Sequence, residues 1–579
     1  MTTRPFLVAV CLITLEGSAC TTRKDDAVQA TQTRQASAWR GLVNAFLEDY
    51  LRLNPGFAAA QGRHEYDGQL PDWSAAGLQA QIDLLKKAVA QAQAIDPAGL
   101  NAAERFEREY LLATLDGMLF WRDEVQWPRH NADFYVTALD PSVYTSRPYA
   151  DASTRMKAFI KYARNVPVAA AQINAGVIRP LSEADLKYAQ AGFGGYAEFY
   201  AGDAKAAFAS VTDAALQKEL DEAVAAAAKA MRDLASHLGT ARPTTDRNAL
   251  GAQQFSDMLR RVEGVKVSLS ELKSIGIADL RRNQAALAKA CAAFAPQSSI
   301  AKCMATMSAH KAEGDPVKGA REQLPRLRAF ILEKNLVSIP GTEEARVEEA
   351  PPYNRQNFAY IDTPGPYETA VPSVCYIAPP DPAWDAKTRA EYVPGRMKLL
   401  VTSIHEVWPG HFLNSLHSHR ASSAFGKLFG GYAYSEGWAH YSEEMMLEAG
   451  LNDGDPETQI GQRSEALLRD CRFLSAIGLH TEGMTIQQSY DLFRKECYQD
   501  AGTAMQQAGR GSWDPAYLSY TLGKLMIRKL REDWTAKHFP GDPRSGWKAF
   551  HDQFLSFGGP PIPLVRKAMM EEGNARSVF

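Results

Sequence analysis

Apolar residues recur at helical spacing through most of this chain. A first helical run starts at Ser37 and ends at Leu53-Asn54-Pro55-Gly56. Its apolar face consists of Trp39, Leu42, Val43, Phe46, Leu47 and Tyr50. Nearly every segment from residue 75 to residue 335 shows the same spacing, including 104–122 and the alanine-rich 203–238. The pattern predicts a front half built almost wholly of helices.

Clusters of Gly, Pro and Asp interrupt these runs and predict breaks at 128–142, 179–182, 192–195 and 239–251. No fixed-period repeat is present, so a solenoid is not supported. The loop 62–74 carries His64, Glu65 and Asp67, which are residue types that can ligate a metal. We favour the simpler interpretation that this loop caps the neighbouring helices.

The pattern changes at Val337, after which Pro and Gly are frequent and short β-like stretches occur at 345–349, 358–361 and 373–377. They predict a small sheet just before the helix that bears His405. The strand 373–377, with Tyr376, is a candidate to bind an extended peptide by strand pairing, although a purely structural sheet is an equal alternative. Helical spacing then returns at 465–477, 485–498, 515–535 and 563–571, with a loop at 509–512.

The first 20 residues have the pattern of an export signal. Arg4 precedes an apolar core, and the small residues Gly17-Ser18-Ala19 lead to Cys20. This arrangement predicts a bacterial lipoprotein with lipid on Cys20, although Gly17 stands where a large aliphatic residue is usual. Ordinary cleavage to a soluble periplasmic protein is the alternative. We therefore divide the chain into a leader (1–20), a polar tether (21–36), a helical front lobe (37–335) and a metal-binding catalytic lobe (336–579).

Composition excludes other classes. The 579 residues carry a net charge of -3 and are 45% apolar, as in soluble globular proteins. No basic stripe indicates nucleic-acid binding, and no internal stretch reaches the roughly 18 unbroken apolar residues of a membrane helix. The only expected membrane contact is the lipid anchor.

Seven cysteines bear on the compartment, because an oxidising periplasm permits disulfides. Cys11 and Cys20 belong to the leader and its cleavage site. Cys291 and Cys303 flank a turn and are the best candidate pair, and Cys471 with Cys497 is a possible second. Cys375 is the expected free thiol. The absence of C-x-x-C argues against a cysteine zinc site.

The main chemical signal is Ser403-Ile404-His405-Glu406-Val407-Trp408-Pro409-Gly410-His411-Phe412. A zinc hydrolase needs three protein ligands, and its glutamate acts as the base. The six-residue spacing does not place two histidines on one helical face, since a helix turns about 100° per residue. Pro409-Gly410 should widen or break one turn and return His411 toward His405. Two histidines at a helix end without metal are the alternative, and His417 and His419 could form a solvated face.

The third ligand should be an acid on a neighbouring helix. Ser435 is a suitable N-cap for a helix over 436–448, with Gly450 as its end. Glu436 and Glu443 lie seven residues apart on one face. We predict that Glu436 binds the metal and that Glu443 supports a ligand from behind. An ordinary acidic helix face is the alternative.

His-Glu-x-x-Pro-Gly-His followed by Glu-Gly-Trp-Ala-x-Tyr-x-Glu resembles a bacterial family catalogued as domain of unknown function 885. That family is similar to a distant branch of zinc peptidases with two His and one Glu ligand. The resemblance extends to most of the chain after the leader, including the front segment 53–74, Gly478-Leu479-His480 and Tyr517-x-x-Tyr520-x-x-Gly523. It implies a mainly α fold, with a large helical body, a deep central cleft and a small β-sheet next to the metal-binding helices.

Carried over by position, the resemblance implies His405, His411 and Glu436 as ligands of one zinc ion and Glu406 as general base. His480 and Tyr520 match positions suited to binding the oxyanion. An Asp that many relatives have before Gly-Leu-His is replaced by the segment 475–477, which weakens the role of His480. Arg472 and Arg531 could hold a substrate carboxylate, with structural salt bridges as the favoured alternative.

These features lead to one functional hypothesis, a zinc-dependent peptidase of the cell envelope. The deep cleft that the resemblance implies would favour short peptides as substrates. Two alternatives are a metal-dependent hydrolase of an ester or cell-wall amide, and a non-catalytic binding lipoprotein. The glutamate directly after His405 argues against the last, because a binding protein needs no general base.

Overall fold

The structure is a computed structural model. It describes residues 18–243, 249–313, 315–351, 354–355, 358–368, 370–380, 382, 384–570 and 578–579. The side chains of residues 18–34 and of Asp133 are outside that description. Residues 1–17 of the leader and the side chain of Cys20 therefore lie outside the described part of the chain.

The front of the chain is helical, as the spacing of apolar residues predicts. Polar caps begin many of its helices; Ser74, Asp151, Ser182 and Ser268, for example, accept hydrogen bonds from backbone N–H groups of the first turn. The helices are α1 (Ser18–Leu53), α2 (Pro55–Ala60), α3 (Ala75–Ala94), α4 (Ala102–Leu119), α5 (Trp127–His130), α6 (Asp133–Ala138), α7 (Ser142–Thr145), α8 (Ala152–Gly176), α9 (Glu183–Ala201), α10 (Asp203–Ala206), α11 (Ala214–Leu238), α12 (Gly251–Val262), α13 (Leu269–Phe294), α14 (Ile300–Ala309) and α15 (Pro316–Glu333).

Several boundaries in the front half differ from the sequence predictions. The run 203–238 is divided into α10 and α11. Helix α1 already begins at Ser18, so the expected tether is helical. Helix α9 runs through 192–195, where a break was expected. A Cβ at Gly192 would lie 2.8 Å from Val136 of α6, so this glycine allows close packing of α6 and α9. A glycine that serves helix packing has the same sequence signature as one that ends a helix.

The predicted small sheet is present and has three strands, β1 (Arg346–Glu349), β2 (Ala359–Asp362) and β3 (Val374–Ile377). Its order is β1-β3-β2, with β3 parallel to β1 and antiparallel to β2. Both edges of β3 are therefore occupied. The prediction that 373–377 pairs with a substrate peptide is wrong, because a central strand has no free edge to offer.

Helices follow the sheet to the end of the chain: α16 (Ala386–Tyr392), α17 (Arg396–Glu406), α18 (His411–Ser418), α19 (Tyr432–Glu448), α20 (Pro456–Thr481), α21 (Ile486–Lys495), α22 (Ala501–Trp513), α23 (Ser519–His538), α24 (Trp547–Leu555) and α25 (Ile562–Met570). The predicted loop at 509–512 is part of α22. Ser435 is not an N-cap, because α19 begins earlier, at Tyr432 after Gly431. The fold is mainly α with a small sheet, as predicted, and the deep cleft stays a prediction.

The largest hydrophobic cluster surrounds the helices of the metal motif and joins them to α12–α15 and the sheet. A second cluster is formed by the front helices from α6 to α11, and a third by α1, α3 and α4 with Phe425 and Phe429. The core behind the metal motif thus begins well before residue 336.

The cysteines pair as expected. One disulfide joins Cys291 of α13 to Cys303 of α14, and the other joins Cys471 of α20 to Cys497. Cys375 of β3 is free and buried. Within the described part of the chain, no helix has both the length and the apolar character needed to cross a membrane.

Candidate metal centre

A break between α17 and α18 brings the two histidines of the motif together. Helix α17 ends at Glu406 and α18 starts at His411, with the Gly410 N–H donating to Ile404 O at 2.9 Å. The Cβ of any other residue at position 410 would lie 1.8 Å from His405 O, so only glycine fits. The chain folds back sharply, and the His405 and His411 ring centroids lie 4.9 Å apart. The predicted break at Pro409-Gly410 is therefore present.

Trp438 of α19 holds this break in place. Its indole N–H donates to Pro409 O at 2.8 Å, and the ring is fully buried against Phe554. The Trp of the Glu-Gly-Trp segment thus ties the loop between the histidines to the helix that carries Glu436.

Three ligand atoms converge at this point. Glu436 Oε2 lies 3.3 Å from His405 Nε2 and 3.2 Å from His411 Nε2. Ligand atoms of the three residues all lie within 4.8 Å of one another, and they form the one such group found among the described residues. Glu436 Oε2 is buried yet has no hydrogen bond of good geometry there. A buried carboxylate oxygen so close to two imidazole nitrogens, without a hydrogen bond, fits a cation-binding position.

The other ring nitrogens are held by the protein. His405 Nδ1 donates to Glu443 Oε1 at 2.8 Å, and His411 Nδ1 lies 3.3 Å from Ser435 Oγ. A ligating histidine usually donates its second N–H in this way, which fixes its tautomer and orientation. Both Nε2 lone pairs therefore point to the shared position. The side chains are 6% (His405), 17% (His411) and 19% (Glu436) exposed, so the cluster is mostly buried but in contact with solvent.

Glu443 is fully buried behind His405. His440 Nδ1 lies 3.1 Å and Arg469 Nη2 3.3 Å from its carboxylate. Burial alone would raise the pKa of Glu443, but Arg469, His440 and His405 outweigh it and hold the pKa well below its usual value. Glu443 is therefore an anion that supports His405, in the place expected for it.

Glu406 is the last residue of α17 and is 8% exposed. Within the described ranges, no hydrogen bond or ion pair engages its carboxylate. Burial raises the pKa of the Cys375 thiol, and the charge of the nearby Glu406 raises it further. A nearly buried carboxylate without a partner, one residue from a ligand, is available for proton transfer.

Two glycines bring Tyr520 to the cluster. A Cβ at Gly437 of α19 would lie 2.5 Å from Gly523 Cα of α23, so the two helices cross in backbone contact. Tyr520, one turn before Gly523, then stacks near His405 at 6.2 Å between ring centroids. Its hydroxyl has no hydrogen bond with any described residue. Burial, and then the charge of Glu436, raise its pKa, so it is a neutral donor near neutral pH.

His480 is used elsewhere. Its Nε2 donates to Gly511 O at 2.8 Å, and its Nδ1 accepts from the Leu250 N–H at 3.3 Å. The ring therefore links α20, α22 and the start of α12, and its single N–H is occupied. The expected role in oxyanion binding is contradicted, because α22 continues through 509–513 and presents the Gly511 carbonyl to this ring.

The two candidate substrate arginines differ. Arg531 donates to Glu448 at 2.7 Å and to the Tyr441 hydroxyl at 3.1 Å, and it stacks on Trp547. Arg531 therefore forms a structural salt bridge, which was the favoured alternative, and a role for it in substrate binding is not supported. Arg472 lies over the Tyr520 ring, with Cζ 4.7 Å from the centroid, and no described acid pairs with it.

Tyr376 is corrected as well. On β3 its side chain points away from Cys375, whose thiol packs in the core behind the metal motif, and its ring packs at a tilt against Tyr360, with centroids 5.2 Å apart. Successive strand residues face opposite sides, so Tyr376 lies on the side away from Glu406. Burial raises the pKa of Tyr376 to about 12. His417 and His419 also lie outside the ligand group; His417 Nε2 donates to Ser338 O at 2.9 Å.

Sequence reasoning missed Arg469 and Arg510, which both lie near the Tyr520 ring. Arg469 precedes Arg472 by three residues on α20, so the two share a helical face. That spacing is readable from the sequence. The direction of this face toward α19 and α23 is set by tertiary packing.

Solved structures share the fold along nearly the whole chain. A candidate lipoprotein of unknown function from Shewanella oneidensis is 22% identical, with a TM-score of 0.73 over 92% of this chain and 99% of its own. A candidate lipoprotein from Colwellia psychrerythraea is 17% identical, with a TM-score of 0.76 over 93% of this chain and 99% of its own. No curated protein matches. The family model described as "bacterial protein of unknown function (DUF885)" matches residues 55–569, so the chain belongs to that family.

Proposed function

We propose that this member of the family of unknown function 885 is a zinc-dependent peptidase of the cell envelope that acts on short peptides. One observation carries the proposal. Two imidazole Nε2 atoms and a carboxylate oxygen converge within 4.8 Å, and Glu443 fixes the imidazole of His405. Glu406, which has no partner among the described residues, directly follows His405 in the chain. That combination is the donor set and base of zinc hydrolases.

His405, His411 and Glu436 would hold one zinc ion per chain. Two imidazoles and one carboxylate are a known catalytic zinc set, and they leave room for further ligands. When bound, zinc supplies Lewis-acid chemistry, polarising a carbonyl group and making water a stronger acid.

The protein's own groups do the rest. Glu406 takes a proton from the attacking water and returns it to the leaving amine, since it is a nearly buried carboxylate that no described residue pairs with. Tyr520 donates its hydroxyl hydrogen bond to the oxygen on which negative charge develops. His405 is kept in one orientation by Glu443, which in turn is neutralised by Arg469.

An envelope location completes the proposal. The export signal and Cys20 predict it, and the two structural neighbours described as candidate lipoproteins support it. The substrate would then be a peptide in the periplasm or at the outer membrane.

The experiment uses protein purified without the leader. We expect about one zinc per chain by mass spectrometry of the metal, and cleavage of members of a short-peptide library that stops when a chelator is added. Glu406→Gln should keep its zinc and lose at least about 100-fold in kcat, because general-base catalysis contributes 10²- to 10⁴-fold. Full activity of Glu406→Gln would contradict the mechanism.

Ester and cell-wall amide substrates are assayed beside the peptides, because the same residues would serve those reactions. Turnover of those compounds alone would replace the peptidase proposal. Failure to bind zinc or to cleave any substrate would favour a binding lipoprotein.

A further inference from the structure

Arg472 is a buried cation, and no group of opposite charge among the described residues pairs with it. Its exposed fraction is 8%, and its Nε donates to the neutral Gln507 Oε1 at 2.8 Å. In the described part of the chain its two Nη groups have no hydrogen-bond partner. A guanidinium removed from water needs an anion, and a stack on one aromatic ring stabilises it by less than burial costs.

The neighbouring arginines differ in this respect. Arg469 is paired with Glu443 and Glu465, and Arg510 is paired with Asp514 at 2.9 Å and donates to the Tyr432 hydroxyl at 2.8 Å. All three guanidinium groups surround the Tyr520 ring, with Cζ 5.8, 4.7 and 5.9 Å from its centroid for Arg469, Arg472 and Arg510. Burial lowers the pKa of Arg472, and the nearby Arg510 and Arg469 lower it further. Of the three arginines near Tyr520, Arg472 is therefore the one whose positive charge is not balanced by a described acid.

The position of this cation relative to the ligand group suggests the anion. The Tyr520 ring centroid lies 4.7 Å from Arg472 Cζ and 6.2 Å from the centroid of the His405 ring. The guanidinium carbon and the His405 ring are thus at most about 11 Å apart. One or two residues of extended chain, at roughly 3.5 Å each, can span that distance with the contacts at their two ends. A peptide whose carbonyl is next to Tyr520 would bring its terminal carboxylate to the guanidinium fork.

We propose that Arg472 binds the free C-terminal carboxylate of the substrate, so that the enzyme removes one or two residues from the C-terminus of short peptides. This inference rests on the proposed peptidase function and names its substrate class. Gln507 positions the guanidinium through Nε and leaves the Nη edge for the carboxylate. Arg510, which donates to the Tyr432 hydroxyl, adds a second positive charge near the same Tyr520 ring.

The test compares one N-blocked peptide in two forms, with a free C-terminal carboxylate and with a C-terminal amide. We expect the wild-type kcat/KM to be at least about 100-fold higher for the acid, as for loss of a buried charged partner. Arg472→Met should remove about 100-fold for the acid, change the amide by less than about threefold and leave the zinc content unchanged. Arg472→Lys should fall between, because ammonium cannot make the two-pronged contact.

Arg531→Met is the matched control. It also removes a buried arginine stacked on an aromatic ring, but one that already has Glu448 as its partner. We expect lower thermal stability and an unchanged ratio of acid to amide kcat/KM. Peptides with an amidated C-terminus and an internal Glu or Asp test whether a side-chain carboxylate can occupy the position instead, and we expect no gain from them.

A second readout separates this inference from the proposed function. Calorimetry measures binding of the acid and amide peptides to Glu406→Gln, which does not turn over. Tighter binding of the acid, lost in the double variant with Arg472→Met, supports the carboxylate site even if no peptide is cleaved. Cleavage of acid and amide at equal rates, or equal loss for both in Arg472→Met, overturns the inference and leaves the peptidase proposal in place.

Discussion

The front loop around His64 and the metal centre both combine histidine with carboxylates, and they use the same residue types in opposite ways. In the front loop, His64 Nδ1 lies 3.1 Å from Asp67 and its Nε2 lies 3.1 Å from Glu368. The ring stacks on Tyr149 at 3.7 Å, and the Tyr149 hydroxyl donates to Asp67 at 2.8 Å. Both nitrogens of His64 donate to carboxylates. The ring is therefore a cation that ties the front loop to the segment before β3.

In the metal centre the Nδ1 atom of each histidine is held by a neighbouring side chain, and the Nε2 atom faces the shared position. Nδ1 of His405 donates to Glu443, and Nδ1 of His411 lies against Ser435, so both Nε2 atoms are left for a cation beside Glu436. Nearby carboxylates do not by themselves make a metal site. The difference is whether a ring nitrogen is left with its lone pair available.

The sharpest way to break this comparison is to remove one histidine from each cluster. We expect His405→Ala to weaken zinc binding by more than about 100-fold, since ligand loss should exceed the 10- to 100-fold cost of losing an outer partner. His64→Ala should leave zinc affinity unchanged. Competition with a chromophoric chelator measures both. Loss of zinc in His64→Ala would mean that the front cluster is the metal site.

Removing the supporting carboxylates should give a smaller effect. Glu443→Gln keeps the shape but loses the charge that holds His405, so we expect zinc affinity to fall about 10- to 100-fold. Asp67→Asn is the matched change in the front cluster and should not alter zinc affinity. The same chelator competition applies. An unchanged affinity in Glu443→Gln would show that His405 needs no support from behind.

The sequence was sufficient to predict most of the helices, the three strands, the Cys291–Cys303 disulfide and the return of His411 toward His405. Each of these depends on local signals, such as apolar spacing, a turn between cysteines, or a Pro-Gly pair. Cys471–Cys497 was only a possible pair, and the choice of Glu436 as third ligand rested on its neighbouring helix and on the family resemblance. The errors arose where contacts between segments distant in sequence determine the structure. Gly192 packs against Val136, and β3 became the central strand because β1 and β2 both reach it. His480 lost its predicted role because Gly511, 31 residues away, accepts its N–H.

The two arginines show the same limit. Arg472 and Arg531 have equal sequence claims to a substrate carboxylate. Only the fold shows that Glu448 pairs with one and that no described acid pairs with the other. The partner of a buried charge depends on which helices pack together, and helix packing cannot be read from helical periodicity.

The smallest predicted effect concerns pH and the front cluster. Burial would lower the pKa of His64, but hydrogen bonds to Asp67 and Glu368 outweigh it and raise the pKa to about 9. The unfolded value is about 6.5, so the stabilising protonation is fully present below about pH 6.5 and is lost as the pH rises through 9. Because the side chain is partly exposed, we expect only about 1–2 kcal/mol after solvent screening. Thermal unfolding of wild type and His64→Gln, followed from pH 6 to pH 10, should show a difference that shrinks as the pH rises. A difference that grows with pH would mean that His64 is neutral in the folded protein, and the contrast between the two clusters would then fail.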